Sequence, residues 1–319
     1  MPETGSALHA QKIASLGETL TAGLIGHDVL IERLLIAILA GGHVLVEGAP
    51  GLAKTRAVKL LAAAQGGSFA RIQCTPDLLP SDATGTHVYR PETGSFEFSP
   101  GPVFHNLLLV DEINRAPPKV QSALLEAMAE QQVTSGGETH PLPDPFTVVA
   151  TQNPIEHEGT FPLPEAQLDR FLLHIMLELP DAVAERQILD LVEAEQSGTG
   201  GAISSLDLGD ITAARSEAMA VHLSPALRDF IVRLVMATRD EPFRSEIDHP
   251  VSPRGSLALA ACAKARAYLR GRDHALPEDV EAVAGDALSH RLVLSWRATA
   301  DGRTARGIIA DILSATEAL

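Results

Sequence analysis

Residues 43–56 read HVLVEGAPGLAKTR, a short apolar run that breaks at Gly48 into a turn of small residues and ends in Lys54 and Thr55. Backbone N–H groups in such a turn, Gly48-Ala49-Pro50-Gly51-Leu52-Ala53, converge on an anion, and the helix that follows offers its positive end to the same charge. Lys54 can reach the outer phosphates of a nucleotide, the Thr55 hydroxyl can ligate Mg2+, and Arg56 follows on the opening helical turn. The generic spacing GxxxxGK[ST] asks for glycine where this chain has Ala53. The context is still that of a phosphate-binding loop, with an apolar strand before it and a helix-forming stretch from Thr55 to Ala64 after it.

A second strand, in LLLVDEINR at 107–115, delivers Asp111 and Glu112 to its carboxyl end. In an open α/β sheet ligands bind beyond the carboxyl ends of the strands, so these acids emerge beside the phosphate loop. There Asp111 can hold Mg2+ through water, and Glu112 can orient and deprotonate an attacking water. Taken alone, the pair also reads as a helix-capping Asp followed by a dipole-favoured Glu. A third strand, Phe146 to Ala150, runs into Thr151-Gln152-Asn153-Pro154 and places Asn153 where an amide can meet the γ-phosphate and the water. Further on, LPEAQLDRF at 163–171 puts Arg170 at the end of a short helix. Two readings stay open for it: a cation satisfied by the helix dipole or Asp169, and a finger reaching the nucleotide of a neighbouring subunit.

Composition sets the bounds. The chain has 319 residues, 45% hydrophobic and 21% charged, enough for a large core and two domains. No apolar run spans a bilayer and no secretory leader opens the chain, which predicts a cytoplasmic protein without membrane insertion. Two cysteines, Cys74 and Cys262, are too few for a disulfide framework and read as small buried residues. The twelve histidines are scattered, with no ligand-spaced set along the sequence. A net charge of −16 opposes broad attraction to nucleic acid and favours a protein partner.

Strand and helix patterns alternate to about residue 180, and helical patterns dominate after it. The expected domains are therefore 1–180, α/β, and 181–319, α-helical. Strands are predicted at His43 to Glu47, Phe69 to Cys74, Leu107 to Val110, Phe146 to Ala150 and Leu172 to Leu177, apolar enough for a parallel sheet covered on both faces. Thr86 to Phe98 and Val133 to Pro145 read as hairpins or loops projecting from that sheet. Gln196 to Gly201, QSGTGG, reads as a linker.

GAPGLAKT, LLLVDEINRAPPK, ATQNP and LPEAQLDRF occur in that order, and together they resemble the MoxR branch of the AAA+ ATPases. The likeness runs from about Leu24 to Leu294, and Ala53 is what that branch usually shows. The resemblance implies an α/β fold: a P-loop AAA+ parallel-sheet core with a helical C-terminal lid domain and inserted β-hairpins. It implies ATP and Mg2+ as cofactors. By position, Lys54 and Thr55 match the phosphate and Mg2+ residues, Asp111 the Mg2+-organising acid, Glu112 the catalytic base, Asn153 the first sensor and Arg170 the arginine finger. Arg254, in VSPR at 251–254, matches the second sensor, with a structural arginine opening the helix Gly255 to Leu269 as the alternative. Ile25 and Gly26, before His27, sit where the family packs backbone around adenine, although a plain turn explains Gly26 as well. Gln73 lies where related ATPases carry a polar residue that acts on the catalytic acid, and Arg115 is either a second interface cation or a partner for Glu112.

A finger supplied from outside its own chain implies a homo-oligomer, by resemblance a hexameric ring. The resemblance also implies a partner with a von Willebrand factor A domain and a client protein that is remodelled, matured or supplied with metal. Competing readings are a nucleic-acid or chelatase-type motor subunit, a small-molecule kinase and an ATP sensor that does not hydrolyse. The charge opposes the nucleic-acid motor, the kinase leaves Asn153, Arg170 and Arg254 unexplained, and the paired acids oppose the sensor.

Overall fold

A computed structural model describes residues 3–154, 159–196 and 206–318. Two helices open the chain, α1 (Glu3–Gly23) and α2 (Asp28–Ala40), joined by a turn in which Gly26 takes φ +78°. Helix α2 stops at Gly41, a left-handed residue whose N–H bonds back to the carbonyl of Ile38. The sheet strands are β1 (Val44–Glu47), β2 (Phe69–Gln73), β5 (Leu107–Asp111), β8 (Thr147–Gln152) and β9 (Leu173–Met176), with α3 (Lys54–Ala64) after β1. They lie in the order β2-β5-β8-β1-β9 and every neighbouring pair is parallel. Each matches a strand expected from the sequence, shifted by a residue or two at its ends.

Why these runs make a parallel sheet is visible in their burial. Leu107 and Leu109 face one core, Leu108 and Val110 the other, and all four are fully buried. A strand whose alternate residues both leave water must be apolar throughout, so it shows no polar alternation. His43, just before β1, is buried beneath the sheet, its Nδ1 accepting from the Val148 amide at 3.0 Å.

Both projecting segments are antiparallel hairpins. One pairs β3 (Gly85–Arg90) with β4 (Ser95–Pro100), following the short helix α4 (Pro80–Thr84). The other pairs β6 (Gln132–Ser135) with β7 (Glu138–Pro141) through Gly136 and Gly137, which take φ +60° and +85°. Helix α5 (Pro118–Glu130) leads into that second hairpin. The short helix α6 (Glu165–Leu168) precedes β9.

Beyond the sheet the chain is mainly helical: α7 (Ala182–Gln196), α8 (Leu208–Ala220), α9 (Pro225–Ala237), α10 (Pro253–Leu269), α11 (Pro277–Leu288), α12 (Trp296–Ala300) and α13 (Ala305–Ala315). Two short strands, β10 (Ile247–His249) and β11 (Val293–Leu294), tie this part together. Of the expected linker, residues 197–201 lie outside the described residues. One apolar cluster joins Ile36 and Leu39 of α2, Val44 and Val46 of β1, and Leu259, Ala263 and Val283 of α10 and α11. The opposite sheet face packs on α5 through Val120, Leu124 and Leu125. Among the described residues no helix is long and apolar enough to cross a membrane.

Candidate active site

The phosphate-binding loop occupies 48–53, between the carboxyl end of β1 and the start of α3. Ala53 is left-handed, φ 52° and ψ 16°, which is why the generic pattern has glycine there. Lys54 Nζ turns inward to the carbonyl of Gly48 and lies 3.2 Å from that of Ala49 and 3.4 Å from that of Gln152. Parallel pairing of Glu47 with Gln152 sets the end of β8 beside the loop.

Asp111 closes β5, with Gln73 of β2 across from it in register. Its carboxylate collects three donors: Thr151 Oγ1 at 2.6 Å on Oδ1, and Arg71 Nη2 at 2.7 Å and Thr55 Oγ1 at 3.2 Å on Oδ2. Glu112 leaves the strand in the left-handed region, φ 57°, a conformation that throws its side chain out of the strand's alternation. Its amide donates to Thr151 Oγ1 at 2.9 Å, while its Oε2 accepts from Gln73 Nε2 at 3.2 Å and pairs with Arg115 Nη1 at 3.2 Å. Among the described residues the non-glycine positions of positive φ are Ala53, Glu112 and Gln131, and the first two border the same cleft. Lys54, Thr55, Asp111, Glu112 and the buried Asn153 line that cleft together.

An apolar hollow shares Pro50, Gly51, Leu52 and Ala53 with the cleft and is walled by Ile25, Leu179, Ile188 and Val192. Arg56 stands at the junction, its Nε donating to the Gly23 carbonyl at 3.0 Å. Gly26 lies one step outside the hollow, where a Cβ would come within 3.1 Å of Ala184. Helix α7 thus closes directly over the turn between α1 and α2. The geometry is that of an apolar hollow beside a polar cleft.

The remaining two expected residues are elsewhere. Arg170 and Arg254 line one hollow together with Gly42 and His43, which precede β1. Four strand residues, a rise of roughly 13 Å, separate that edge from the phosphate loop. The structure therefore joins Arg170 to Arg254 and joins neither to Lys54. Of the two partners expected for a structural Arg170, the helix dipole and Asp169, the second is taken by Arg291, through Nη1, and by Arg254 at 3.5 Å, and no carboxylate among the described residues pairs with Arg170. Arg291 is itself buried, with Nη2 on the Phe171 carbonyl at 2.6 Å. Ser252 caps α10 by accepting the Arg254 amide and donates to Asp169, so the cluster holds the start of that helix against the end of α6.

Sequence reasoning missed Arg71 and Thr151. Arg71 and Gln73 are two apart on β2, hence on one face, and that spacing beside an acidic strand end was the available signal. Cys74 and Cys262 are buried and free, and burial pushes each thiol up to about 12, which keeps both unreactive. The scattered histidines need a correction: folding brings His87 and His140 together with Glu138.

Comparison with known proteins agrees with this geometry. Residues 43–173 match the ATPase family associated with various cellular activities (AAA), and residues 243–312 match the AAA lid domain. Chaperone MoxR1 of Mycobacterium tuberculosis is 48% identical over 284 residues, 87% of this chain and 74% of that protein. The chain belongs to the MoxR family of AAA+ ATPases. Protein MoxR of Methylorubrum extorquens is 34% identical across 85% of the chain and 84% of its own length. The crystal structure of a putative ATPase from Cytophaga hutchinsonii superimposes with a TM-score of 0.91 at 43% identity, covering 99% of this chain and 97% of that one. In this MoxR-family chain the sheet order, the lid helices and the two hairpins thus follow one shared architecture.

Proposed function

We propose that this MoxR-family protein hydrolyses ATP in a ring whose active sites form between neighbouring subunits, and uses the cycle to remodel a client protein. The observation that carries this reading is the separation of Arg170 and Arg254 from the chain's own cleft, at the other end of the strands. Two cations held beside the amino edge of the sheet serve a nucleotide only if another protomer brings one to them. The unit that does so divides at about residue 180 into a nucleotide-binding core, 1–180, and a lid, 181–319.

Within one protomer the roles follow from position. Ile25 and Gly26 present backbone and apolar surface to the adenine, and residues 48–53 with Lys54 hold the phosphates. Thr55 and Asp111 offer a hydroxyl and a carboxylate 3.2 Å apart, hard oxygen donors of the kind Mg2+ takes. When bound, Mg2+ would neutralise charge on the β- and γ-phosphate oxygens. Glu112, held through Oε2 by Gln73 and Arg115, takes the proton of the attacking water, a role worth roughly 10² to 10⁴ in rate. Asn153 aligns that water against the γ-phosphate. Arg170, from the neighbour, stabilises the charge of the transition state, which is typically worth about 10³ to 10⁵. Arg254 stands beside it as a second cation on the same phosphates.

A hexamer, a partner with a von Willebrand factor A domain and maturation of or metal insertion into the client complete the reading. The family relation and the naming of MoxR1 as a chaperone support the client role. Mixing two inactive variants tests the shared site. Arg170→Ala and Lys54→Ala should each lose turnover alone, Arg170→Ala while still binding ATP. Together they should regain part of it, because a ring of both contains sites with an intact loop and an intact finger. Parental turnover by Arg170→Ala alone would sink the reading. Glu112→Gln should trap ATP, and capture with that form is the route to the client.

A further inference from the structure

The two hairpins meet at a cluster that the nucleotide chemistry leaves unused. His87 comes from β3, and Glu138 and His140 from β7, two residues apart and so on one side of that strand. One ligand-capable atom from each of the three lies within 4.8 Å of the others. The rings are held rather than loose. His140 stacks on Phe98 with centroids 3.9 Å apart and planes 7° from parallel, and Phe98 faces His87 across the β3–β4 ladder. Phe104 closes on His140 from the edge.

His87 is seated just as closely. Its ring presses on the β6–β7 turn at Gly136, where a Cβ would come within 2.6 Å of it, so the turn admits the imidazole only because that residue has no side chain. His87 Nδ1 stands 3.4 Å from Ser135 Oγ. His140 Nε2 is out of solvent and has no hydrogen-bond partner among the described residues, a costly state for an imidazole nitrogen that a ligand would relieve.

Two imidazole nitrogens and one carboxylate oxygen are the donors of a borderline divalent ion, Zn2+ foremost, and not of Mg2+ or Ca2+. Around tetrahedral Zn2+, with bonds near 2.0–2.1 Å, donor atoms stand roughly 3.3 Å apart. With its donor atoms no more than 4.8 Å apart, the cluster has at most about 1.5 Å to close to reach that spacing. We propose that His87, Glu138 and His140 form a Zn2+-class site that clips the two hairpins together and leaves one coordination position open to solvent.

The test uses the full chain without nucleotide, in chelator-treated buffer, titrated with Zn2+ and separately with Co2+ as a visible reporter. One equivalent should bind, Co2+ should give the intense visible bands of a low-coordinate nitrogen-oxygen site, and Zn2+ should slow backbone hydrogen exchange in 85–100 and 132–141. His140→Phe keeps the stack on Phe98 while removing a ligand, and His87→Ala removes the other imidazole. Each should weaken Zn2+ binding by at least about tenfold, erase the Co2+ bands and abolish the exchange effect. Binding in either variant equal to the parent, or no stoichiometric uptake by the parent at micromolar metal, would overturn the site. Since no nucleotide is present, neither result depends on the ATPase reading.

Discussion

Thr151 stands 2.6 Å from Asp111, its hydroxyl donating to Oδ1, and the same oxygen accepts the Glu112 amide at 2.9 Å. One buried side chain from β8 thus fixes both acids at the end of β5. Thr151→Val keeps the shape and removes the hydroxyl. It should cost about 1–3 kcal/mol of stability, the usual penalty for stranding buried polar groups. Turnover should fall about tenfold or more while ATP affinity changes less, because the acids lose alignment. Urea denaturation and steady-state ATPase kinetics check both; parental values in each would show that the strand end positions the acids unaided.

Ala53 holds a left-handed conformation that glycine adopts without strain. Relief of that strain, about 1–2 kcal/mol, is partly offset by the greater freedom of glycine in the unfolded chain, about 0.4–1 kcal/mol. Ala53→Gly should therefore stabilise the protein by roughly 0.5–1 kcal/mol and keep nucleotide binding. A lowered melting temperature would show that the Ala53 methyl contributes packing that outweighs the strain.

Asp169 is the carboxylate that compensates the buried Arg291. Removing one partner of such a pair leaves an uncompensated charge, at about 3–5 kcal/mol. Asp169→Asn should lose stability in that range, measured by chemical denaturation, and should free Arg254 from its anchor. If Asp169→Asn unfolds at the parental denaturant concentration, the carbonyls of Asp169 and Phe171 suffice for Arg291.

His43 is buried with its Nδ1 accepting from Val148 and its Nε2 3.2 Å from the Met128 carbonyl, an arrangement that needs the neutral ring. Burial pulls its pKa from 6.5 down to about 4. Above pH 6.5 the ring is neutral in both states and its contribution is fully present. Between about 6.5 and 4 the unfolded chain takes up a proton that the folded one refuses, so stability falls as pH drops, by an amount on the order of 3 kcal/mol for this group. In His43→Gln that part of the slope should vanish from denaturation curves collected across the window. An unchanged slope would assign the acid sensitivity elsewhere, with the buried His290, also held well below its ordinary range, next in line.

Much of this was readable from the chain because the decisive segments are local. LLLV before Asp111 and VVA before Thr151 are apolar on both faces, the pattern of a strand covered on both sides as in a parallel sheet. Pro91 to Gly94 and Gly136-Gly137 announce the hairpins through backbone chemistry alone. Arg71, Thr151 and the Asp169 cluster were hidden because their partners are far away along the chain: Arg254 is 85 residues from Asp169, and Arg291 is 122 away. His87 and His140 escaped for the same reason, since ligand spacing along a sequence says nothing about two hairpins folded face to face.

The apolar interior that runs without a break from β1 through α2 into α10 and α11 has a mechanical corollary. A lever needs a joint, and swinging the helical half away from the sheet would shear that oily seam and wet it. If nucleotide drives a stroke in the proposed ring, a seam that stays closed would carry each protomer as one piece.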